Sequence, residues 1–206
     1  MVTFDKKERV YNLILEISKN LADQKKGALF VLAPKEKLTN IYECLYPKIL
    51  SNHSIFDKGA KALIEKLAEL DGAFLLSHYG ELVAYGARIK KSIPIKGYGT
   101  KHAAASGITQ KIKGSTAILV SEETNWIKIF REGRIILEMD GTKKSPPTLT
   151  HKVMSFLTDN DTALITTAGA SAALVGFLPV VVVSGTYLAI RTASGIIKKS
   201  FKHHIQ

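Results

Sequence analysis

One stretch of the chain, Gly97–Gly107, combines residue types that bind phosphate in many proteins. It opens with two glycines on either side of a tyrosine, and glycine can take backbone angles that are closed to other residues. Thr100, Lys101 and His102 then bring a hydroxyl, a cation and an imidazole to consecutive positions before three alanines that favour helix. A loop of this kind entering a helix presents free N–H groups and the positive end of the helix dipole. We therefore predict a nucleoside triphosphate site, while an exposed helix start with Thr100 as N-cap would explain the same residues.

Two acidic stretches could supply carboxylates to the same ligand. Asp71–Ala73 (Asp-Gly-Ala) follows a predicted helix, so its carboxylate can reach a ribose hydroxyl or a metal without a bulky neighbour. Ser121–Glu123 (Ser-Glu-Glu) follows a predicted strand, where two carboxylates can hold Mg²⁺ or Mn²⁺ and leave room for phosphate. Taken separately, each stretch is more typical of a solvated acidic turn.

The composition is that of a globular, basic chain. Its 206 residues, 46% hydrophobic and 23% charged, are enough for one domain with a sizeable core. The net charge of +11 favours anionic partners such as nucleotides, nucleic acid or acidic lipid. Aromatic residues do not interleave with basic ones as RNA-binding surfaces require, so no nucleic-acid partner is expected. The single Cys44 excludes an internal disulfide and a cysteine metal cage, which predicts a cytoplasmic domain.

Hydrophobic periodicity predicts the elements that position these stretches. An amphipathic helix is expected from Lys6 to about Lys25, and residues 38–50 are weakly helical. A second helix over about 61–70 is expected to bury a stripe formed by Ala62, Leu63, Leu67 and Leu70. The helix of the phosphate loop is predicted over 101–111, and strands are predicted over 27–33, 71–77, 81–88, 116–121, 125–130 and 134–137.

This order of elements predicts an α/β fold, with a mixed central β-sheet flanked by helices on both faces and a C-terminal apolar helical segment. We divide the chain into an N-terminal amphipathic helix (1–26), a central domain (27–144) and an apolar, Gly/Ala-rich C-terminal helical region with a basic tail (145–206). The second boundary rests on Ser-Pro-Pro-Thr at residues 145–148, which is typical of a linker.

Residues 162–190 contain no charged side chain, which makes this segment a candidate membrane span. Three interpretations remain open: one tilted span, a helical hairpin bent at Gly176–Pro179 that enters one leaflet, and an apolar helix pair packed on the body or on a second subunit. A single span would place the basic tail opposite an ATP-using body, whereas the positive-inside rule favours a cytoplasmic tail. We therefore favour membrane association through residues 162–197.

Four stretches, in their order along the chain, resemble the diadenylate cyclase domain: Ser54–Gly59, Asp71–Ala73, Gly99–Ala104 and Val120–Thr124. The resemblance extends over roughly Gly27–Leu137, about the length of one small domain. On these motifs the chain is identified as a member of that family. The family implies a mixed sheet flanked by helices. It also implies the metal-dependent condensation of two ATP molecules into cyclic di-AMP with release of pyrophosphate.

The resemblance also implies how the reaction is arranged. Each subunit of a face-to-face homodimer holds one ATP substrate, and the 3′-hydroxyl of each ATP attacks the α-phosphate of the other. Asp71 is implied as the catalytic residue that orients or deprotonates the 3′-hydroxyl. The resemblance implies that the nucleotide is contacted by Gly72, Ala73, Thr100, Lys101, His102 and Ser121. It further implies that Glu122 or Glu123 binds the cofactor ion, Mn²⁺ or Mg²⁺.

Two positions depart from the family's loop, which reads Gly-Thr-Arg-His-Arg. Lys101 stands at the first arginine and keeps the charge, but it loses the bidentate fork of a guanidinium. Ala103 stands at the second arginine and carries no charge. The alternative function is therefore a sensor that binds ATP or cyclic di-AMP with little or no turnover. Lys96 could supply the missing charge.

Overall fold

The computed structural model describes residues 6–47, 53–142 and Leu157. The predicted boundary at residues 145–148 and the apolar segment 162–190 lie outside these residues. No helix in the described ranges is long and apolar enough to cross a membrane. The elements follow in the order α1 (Lys6–Asp23), β1 (Ala28–Ala33), a 3-10 helix (Lys35–Leu38), β2 (Tyr42–Cys44), α2 (Ala60–Leu67), β3 (Ala73–Ser77), β4 (Leu82–Ile89), α3 (Thr100–Lys111), β5 (Thr116–Val120), β6 (Trp126–Arg131) and β7 (Arg134–Asp140).

The described strands form one seven-stranded sheet in the order β2-β4-β3-β1-β5-β6-β7. Strands β1 and β3 run parallel, with Phe30 opposite Phe74. The other neighbouring pairs in this sheet are antiparallel. The central strands β1, β3 and β5 are buried along their whole length, as expected for continuous apolar runs in strands that are covered on both faces.

Two hydrophobic layers enclose the sheet. Helices α1 and α2 pack on one face, where Ile14 and Ile64 join the layer that contains Phe30 of β1. Helix α3 packs on the other face, where Ile108 joins the layer that contains Val31. Neighbouring residues of β1 thus point to opposite layers, as the alternation of side chains along a strand requires. The predicted α/β fold, a mixed sheet with helices on both faces, is confirmed.

The prediction for residues 38–50 was wrong where the structure describes them. Leu38 ends the 3-10 helix, and Tyr42–Cys44 forms the edge strand β2, in which Tyr42 lies opposite Ile89 of β4. The local helical signal was weak, and the open edge of β4 offers hydrogen bonds to the backbone of this segment. Residues 48–50 lie outside the described ranges.

Helix α2 forms close to where it was predicted, but of the predicted stripe only Leu67 and Leu70 pack against the core, both partly buried. Leu63 is 43% exposed and Ala62 is also exposed, while Ile64 and Ala68 occupy the core positions. The helix has only eight residues, so its sequence alone fits more than one buried stripe. The burial of Ile64 and Ala68 in the core sets how α2 is rotated, and two side-chain hydrogen bonds join α2 to α1 at the surface.

A buried polar network ties both ends of the described chain to the sheet. Tyr11 of α1 donates a hydrogen bond of 2.9 Å to the Thr116 hydroxyl, which also accepts a 3.0 Å bond from Arg131 Nε. Arg131 Nη2 donates to the carbonyl oxygen of Leu157. The side chain of Leu157 is fully buried in the same layer as α1. The core therefore includes residues on both sides of the predicted central domain 27–144.

Candidate functional site

The predicted site residues meet at one end of the central strands, where β1 and β3 begin and the antiparallel β5 ends. The N-terminus of α3 abuts this end, and the two together enclose an open cavity of about 1060 Å³. The cavity is lined by seven of the nine residues predicted for the site: Asp71, Thr100, Lys101, His102, Ser121, Glu122 and Glu123. Tertiary structure thus brings together three stretches that are separated along the chain.

Gly72 and Ala73 lie behind the cavity wall and do not line it. The backbone of Gly72 has a φ of +98°, and a Cβ atom added there would lie 2.6 Å from the carbonyl carbon of Gly86. Ala73 is 1% exposed and pairs with Ala87 of β4. Gly72 therefore has no room for a side chain where β3 pairs with β4. Its N–H donates a hydrogen bond of 2.8 Å to Oδ1 of the neighbouring Asp71.

The start of α3 offers backbone donors to the cavity. The first N–H groups of an α-helix have no partner within the helix, and the helix dipole adds positive charge at this end. Gly99, the residue before Thr100, is extended, and a Cβ atom added to it would meet no atom within 4 Å. The space in front of the first turn is therefore open, as an anion bound at a helix N-terminus requires.

Lys101 reaches across the cavity to the beginning of β1. Its Nζ donates a 3.2 Å hydrogen bond to the carbonyl oxygen of Gly27. A Cβ atom added at Gly27 would lie 3.3 Å from this Nζ and 3.4 Å from Glu122 Oε2. Lys101 and Glu122 thus approach the same point from α3 and from the turn after β5, which places a cation and a carboxylate next to each other at the cavity wall.

His102 is part of an aromatic cluster under the cavity. Its ring lies 4.5 Å from the ring centre of Tyr98 and 6.1 Å from that of Phe130. Its Nε2 is buried and has no hydrogen-bond partner among the described residues. Burial, and after it the positive charge of Lys128, lowers the pKa of His102 to about 4. At neutral pH His102 is therefore uncharged and adds no cation to the cavity.

The turn after β5 presents the two glutamates. Ser121 is 8% exposed, and its N–H and carbonyl oxygen form 2.9 Å hydrogen bonds with Trp126 and Asn125. Glu122 and Glu123 are exposed on this turn at the rim of the cavity. Within the described ranges, no three His, Cys, Asp or Glu side chains lie close enough together to hold a metal ion by themselves.

Among the cavity-lining residues that were not predicted from the sequence are Tyr98 and Lys128. Tyr98 lies within the predicted phosphate stretch, but its type alone gave no reason to select it. The signal for Lys128 was its position between Ile127 and Ile129 in a strand whose side chains alternate. That alternation puts a charged residue on a covered face. Lys96, considered for the missing charge, does line the cavity.

The part of the chain that contains this site is similar to known proteins. Residues 16–135 match the DAC family, described as the DisA bacterial checkpoint controller nucleotide-binding domain. A protein named diadenylate cyclase from Methanocaldococcus jannaschii is 31% identical over 152 residues, which cover 67% of this chain and 48% of that protein. Another diadenylate cyclase, from Haloferax volcanii, is 30% identical over 139 residues, 64% of this chain and 51% of that protein. The chain thus spans about half the length of these curated relatives.

A solved structure shares the fold. The crystal structure of a hypothetical membrane spanning protein from Bacillus cereus matches with a TM-score of 0.50 and 23% sequence identity, covering 61% of each chain. The family match over residues 16–135 takes in more than half of the chain and every residue that lines the cavity. The resemblance inferred from the sequence motifs is therefore confirmed, and this chain belongs to the DAC family, two of whose matching relatives are named diadenylate cyclases.

Proposed function

We propose that this protein is a diadenylate cyclase, which condenses two ATP molecules into cyclic di-AMP and two pyrophosphates. The observation that carries the proposal is that one cavity, at the end of the sheet described above, collects these groups. It combines the carboxylate of Asp71 with the helix start at Thr100 and Lys101 and with the glutamates of the 121–123 turn. Family membership and the names of the two relatives support the same reaction.

The proposed reaction consists of two equivalent phosphoryl transfers. In each, the 3′-oxygen of one ATP forms a bond to the α-phosphorus of the other, and the bond from that phosphorus to the bridging oxygen of the β-phosphate breaks. Pyrophosphate leaves with the bonding electrons, and the proton of the 3′-hydroxyl passes to the carboxylate of Asp71. The 2.8 Å bond from the N–H of Gly72 holds Oδ1 in place for this step.

Positioning of the phosphates falls to α3 in this proposal. The N–H groups of Thr100 and Lys101 and the hydroxyl of Thr100 supply hydrogen bonds, since the N–H of His102 already donates to the carbonyl oxygen of Gly99 at 3.1 Å. Lys101 supplies a charge once its Nζ leaves the carbonyl oxygen of Gly27. His102 stays uncharged at neutral pH, because burial keeps its pKa far below 7. Catalysis then depends on orientation and charge stabilisation, as in other phosphoryl transfers.

The proposal includes a divalent ion, Mn²⁺ or Mg²⁺, held by Glu122 and Glu123. Two exposed carboxylates at the cavity rim do not complete a metal shell, but Mg²⁺ commonly binds one or two carboxylates together with substrate phosphates and water. The residues present therefore fit an ion that binds with the nucleotide. Such an ion would neutralise charge on the phosphates.

The proposal also requires two copies of the domain. Each cavity would bind one ATP, and the two would face each other so that each 3′-oxygen reaches the α-phosphorus of the other nucleotide. The cavity is open on one side, which leaves room for a second nucleotide to approach. We place this homodimer in the cytoplasm, where ATP is available, with residues 162–197 as a membrane anchor.

The test is direct. Purified protein is incubated with ATP and Mn²⁺ or Mg²⁺, and cyclic di-AMP and pyrophosphate are measured by chromatography and mass spectrometry. Asp71→Asn should lower the rate by about 100-fold or more, because it removes the proton acceptor. Asp23→Asn is the matched control, since Asp23 is exposed at the end of α1 and does not line the cavity. Absence of product from the wild type, or an unchanged rate in Asp71→Asn, would refute the proposal.

The second candidate is the nucleotide sensor, and one observation favours it. Ala103 brings no charge to the start of α3, and its carbonyl oxygen is occupied by the N–H of Ile93 at 2.9 Å. Saturable binding of ATP or cyclic di-AMP, with no product formed from ATP whichever divalent metal is added, would identify the sensor.

The proposed membrane anchor, residues 162–197, is tested separately by flotation with liposomes. The full chain should float, and a chain ending at Asn160, which keeps Leu157, should not.

A further inference from the structure

We propose that Lys128 is an additional phosphate-contacting residue of the cavity, held in place by Glu138 and by the ring of Tyr98. The inference rests on the proposed function only in that the cavity must bind ATP; it does not require that ATP be turned over. Its ligand class is the polyphosphate chain of a nucleotide. The oxygens of that chain would contact Nζ from the open side of the cavity.

The burial of Lys128 and Glu138 is the first observation. The two residues lie directly opposite each other on β6 and β7, and Lys128 Nζ is 3.4 Å from Glu138 Oε1. Their side chains are only 9% and 7% exposed. Removing two charges from water is costly, and well-packed apolar residues often stabilise a fold as much as a buried ion pair does. Stability alone is therefore a weak reason for this pair, and a role in binding accounts better for it.

The position of the ammonium is the second observation. Lys128 lines the cavity, and its Nζ lies 4.2 Å from the ring centre of Tyr98. Tyr98 in turn stacks on His102, the third residue of α3. An ammonium has three N–H donors, and one carboxylate oxygen and a ring face do not use all of them. The side chain can therefore accept an anionic oxygen from the cavity while it keeps both present partners.

The charge balance of the cavity is the third observation. Three lining carboxylates, Asp71, Glu122 and Glu123, would repel a polyphosphate. The lining cations are Lys96, Lys101 and Lys128, and of these Lys101 is bonded to the carbonyl oxygen of Gly27. The charge of Lys128 is already paired with Glu138, which does not line the cavity, so its contribution to the ligand is a hydrogen bond from an ammonium that is already in position. Lys128 thus provides a buried ammonium at the cavity wall beside Tyr98.

The experiment measures binding by calorimetry, with ATP and adenosine as the two probes. Lys128→Met should weaken ATP binding by about 10- to 100-fold, the usual effect of losing a hydrogen bond to a charged group, and leave adenosine binding within twofold. Because this variant leaves Glu138 buried without its partner, the double variant Lys128→Met/Glu138→Leu restores an apolar pair and keeps the fold. The double variant should show the same selective loss for ATP. Lys113→Met, an exposed lysine away from the cavity, is the matched control.

The outcomes separate this inference from the cyclase proposal. Unchanged ATP affinity in the folded double variant, an equal loss for ATP and adenosine, or no ATP binding by the wild type would overturn the role of Lys128. A selective loss for ATP supports it, whether or not the wild type makes cyclic di-AMP. Product formation with an unchanged KM for ATP in the double variant would keep the cyclase and remove Lys128 from the phosphate site.

Discussion

Replacing Gly72 by alanine tests the close contact that sets the position of the catalytic carboxylate. The φ of +98° at Gly72 is unfavourable for a residue with a Cβ atom, at a cost of about 1–2 kcal/mol. The new Cβ would also lie 2.6 Å from Gly86 C and 2.7 Å from Ala87 N. Both are main-chain atoms of β4, so no side-chain rotation relieves the clash and β3 must move away from β4. Overpacking of this kind costs about 1–3 kcal/mol, which predicts a total loss of about 2–5 kcal/mol.

Gly114→Ala is the matched control for that experiment. Gly114 has a φ of +81°, but a Cβ atom added there would meet no atom within 4 Å, so the control contains the strain without the clash. With a urea slope of about 2 kcal/mol/M, the clash should lower the unfolding midpoint of Gly72→Ala by about 0.5–1.5 M relative to Gly114→Ala. ATP turnover of the folded fraction should also fall in Gly72→Ala alone, because the N–H that holds Asp71 Oδ1 is displaced.

Equal urea midpoints for the two glycine variants would refute the reasoning, because they would show that β4 leaves room for a methyl group beside Gly72. A lower midpoint with full turnover would refute a different step. It would show that the position of Asp71 does not depend on the contact between β3 and β4.

Two further predictions concern stability. Leu157→Ala should lower the free energy of unfolding by about 2–5 kcal/mol because its side chain is fully buried, whereas Leu63→Ala, at a position that is 43% exposed, should cost much less; equal urea midpoints would contradict the burial of Leu157. The pKa of His78 is lowered to about 4, by burial first and then by the charges of Lys7 and Arg131. The unfolded chain takes up this proton near pH 6.5 and the folded chain only near pH 4, so stability is complete above pH 6.5 and falls towards pH 4. Urea midpoints at pH 7.5 and 5 should therefore differ less in His78→Gln than in the wild type, and an equal difference would exclude His78.

The sequence predicted most of the fold because its signals were local and strong. The amphipathic period of α1 and the continuous apolar run of β1 each exclude other structures over their length. The errors fell where local signals were weak. Strand β2 is three residues long and exists because β4 offers it an edge, and the rotation of the eight-residue α2 depends on which of its side chains are buried in the core. His78 is partly buried, and the charged residues that act on it, Lys7 and Arg131, are distant in sequence, so no local pattern indicates its environment.

For the candidate site too, some features could be predicted from the sequence and others required the tertiary structure. The sequence by itself determined the chemical groups, because Asp71, the start of α3 and the Ser121–Glu123 turn could be recognised from residue type and order. Only the tertiary structure decided which groups share a cavity, because that depends on the parallel pairing of β1 with β3 and the antiparallel pairing with β5. The tertiary structure also places Gly72 in close contact with the backbone of β4, and it places Lys128 at the cavity wall. These contacts depend on strand order and register, which bring together residues that are far apart in the sequence, so a local sequence pattern does not predict them.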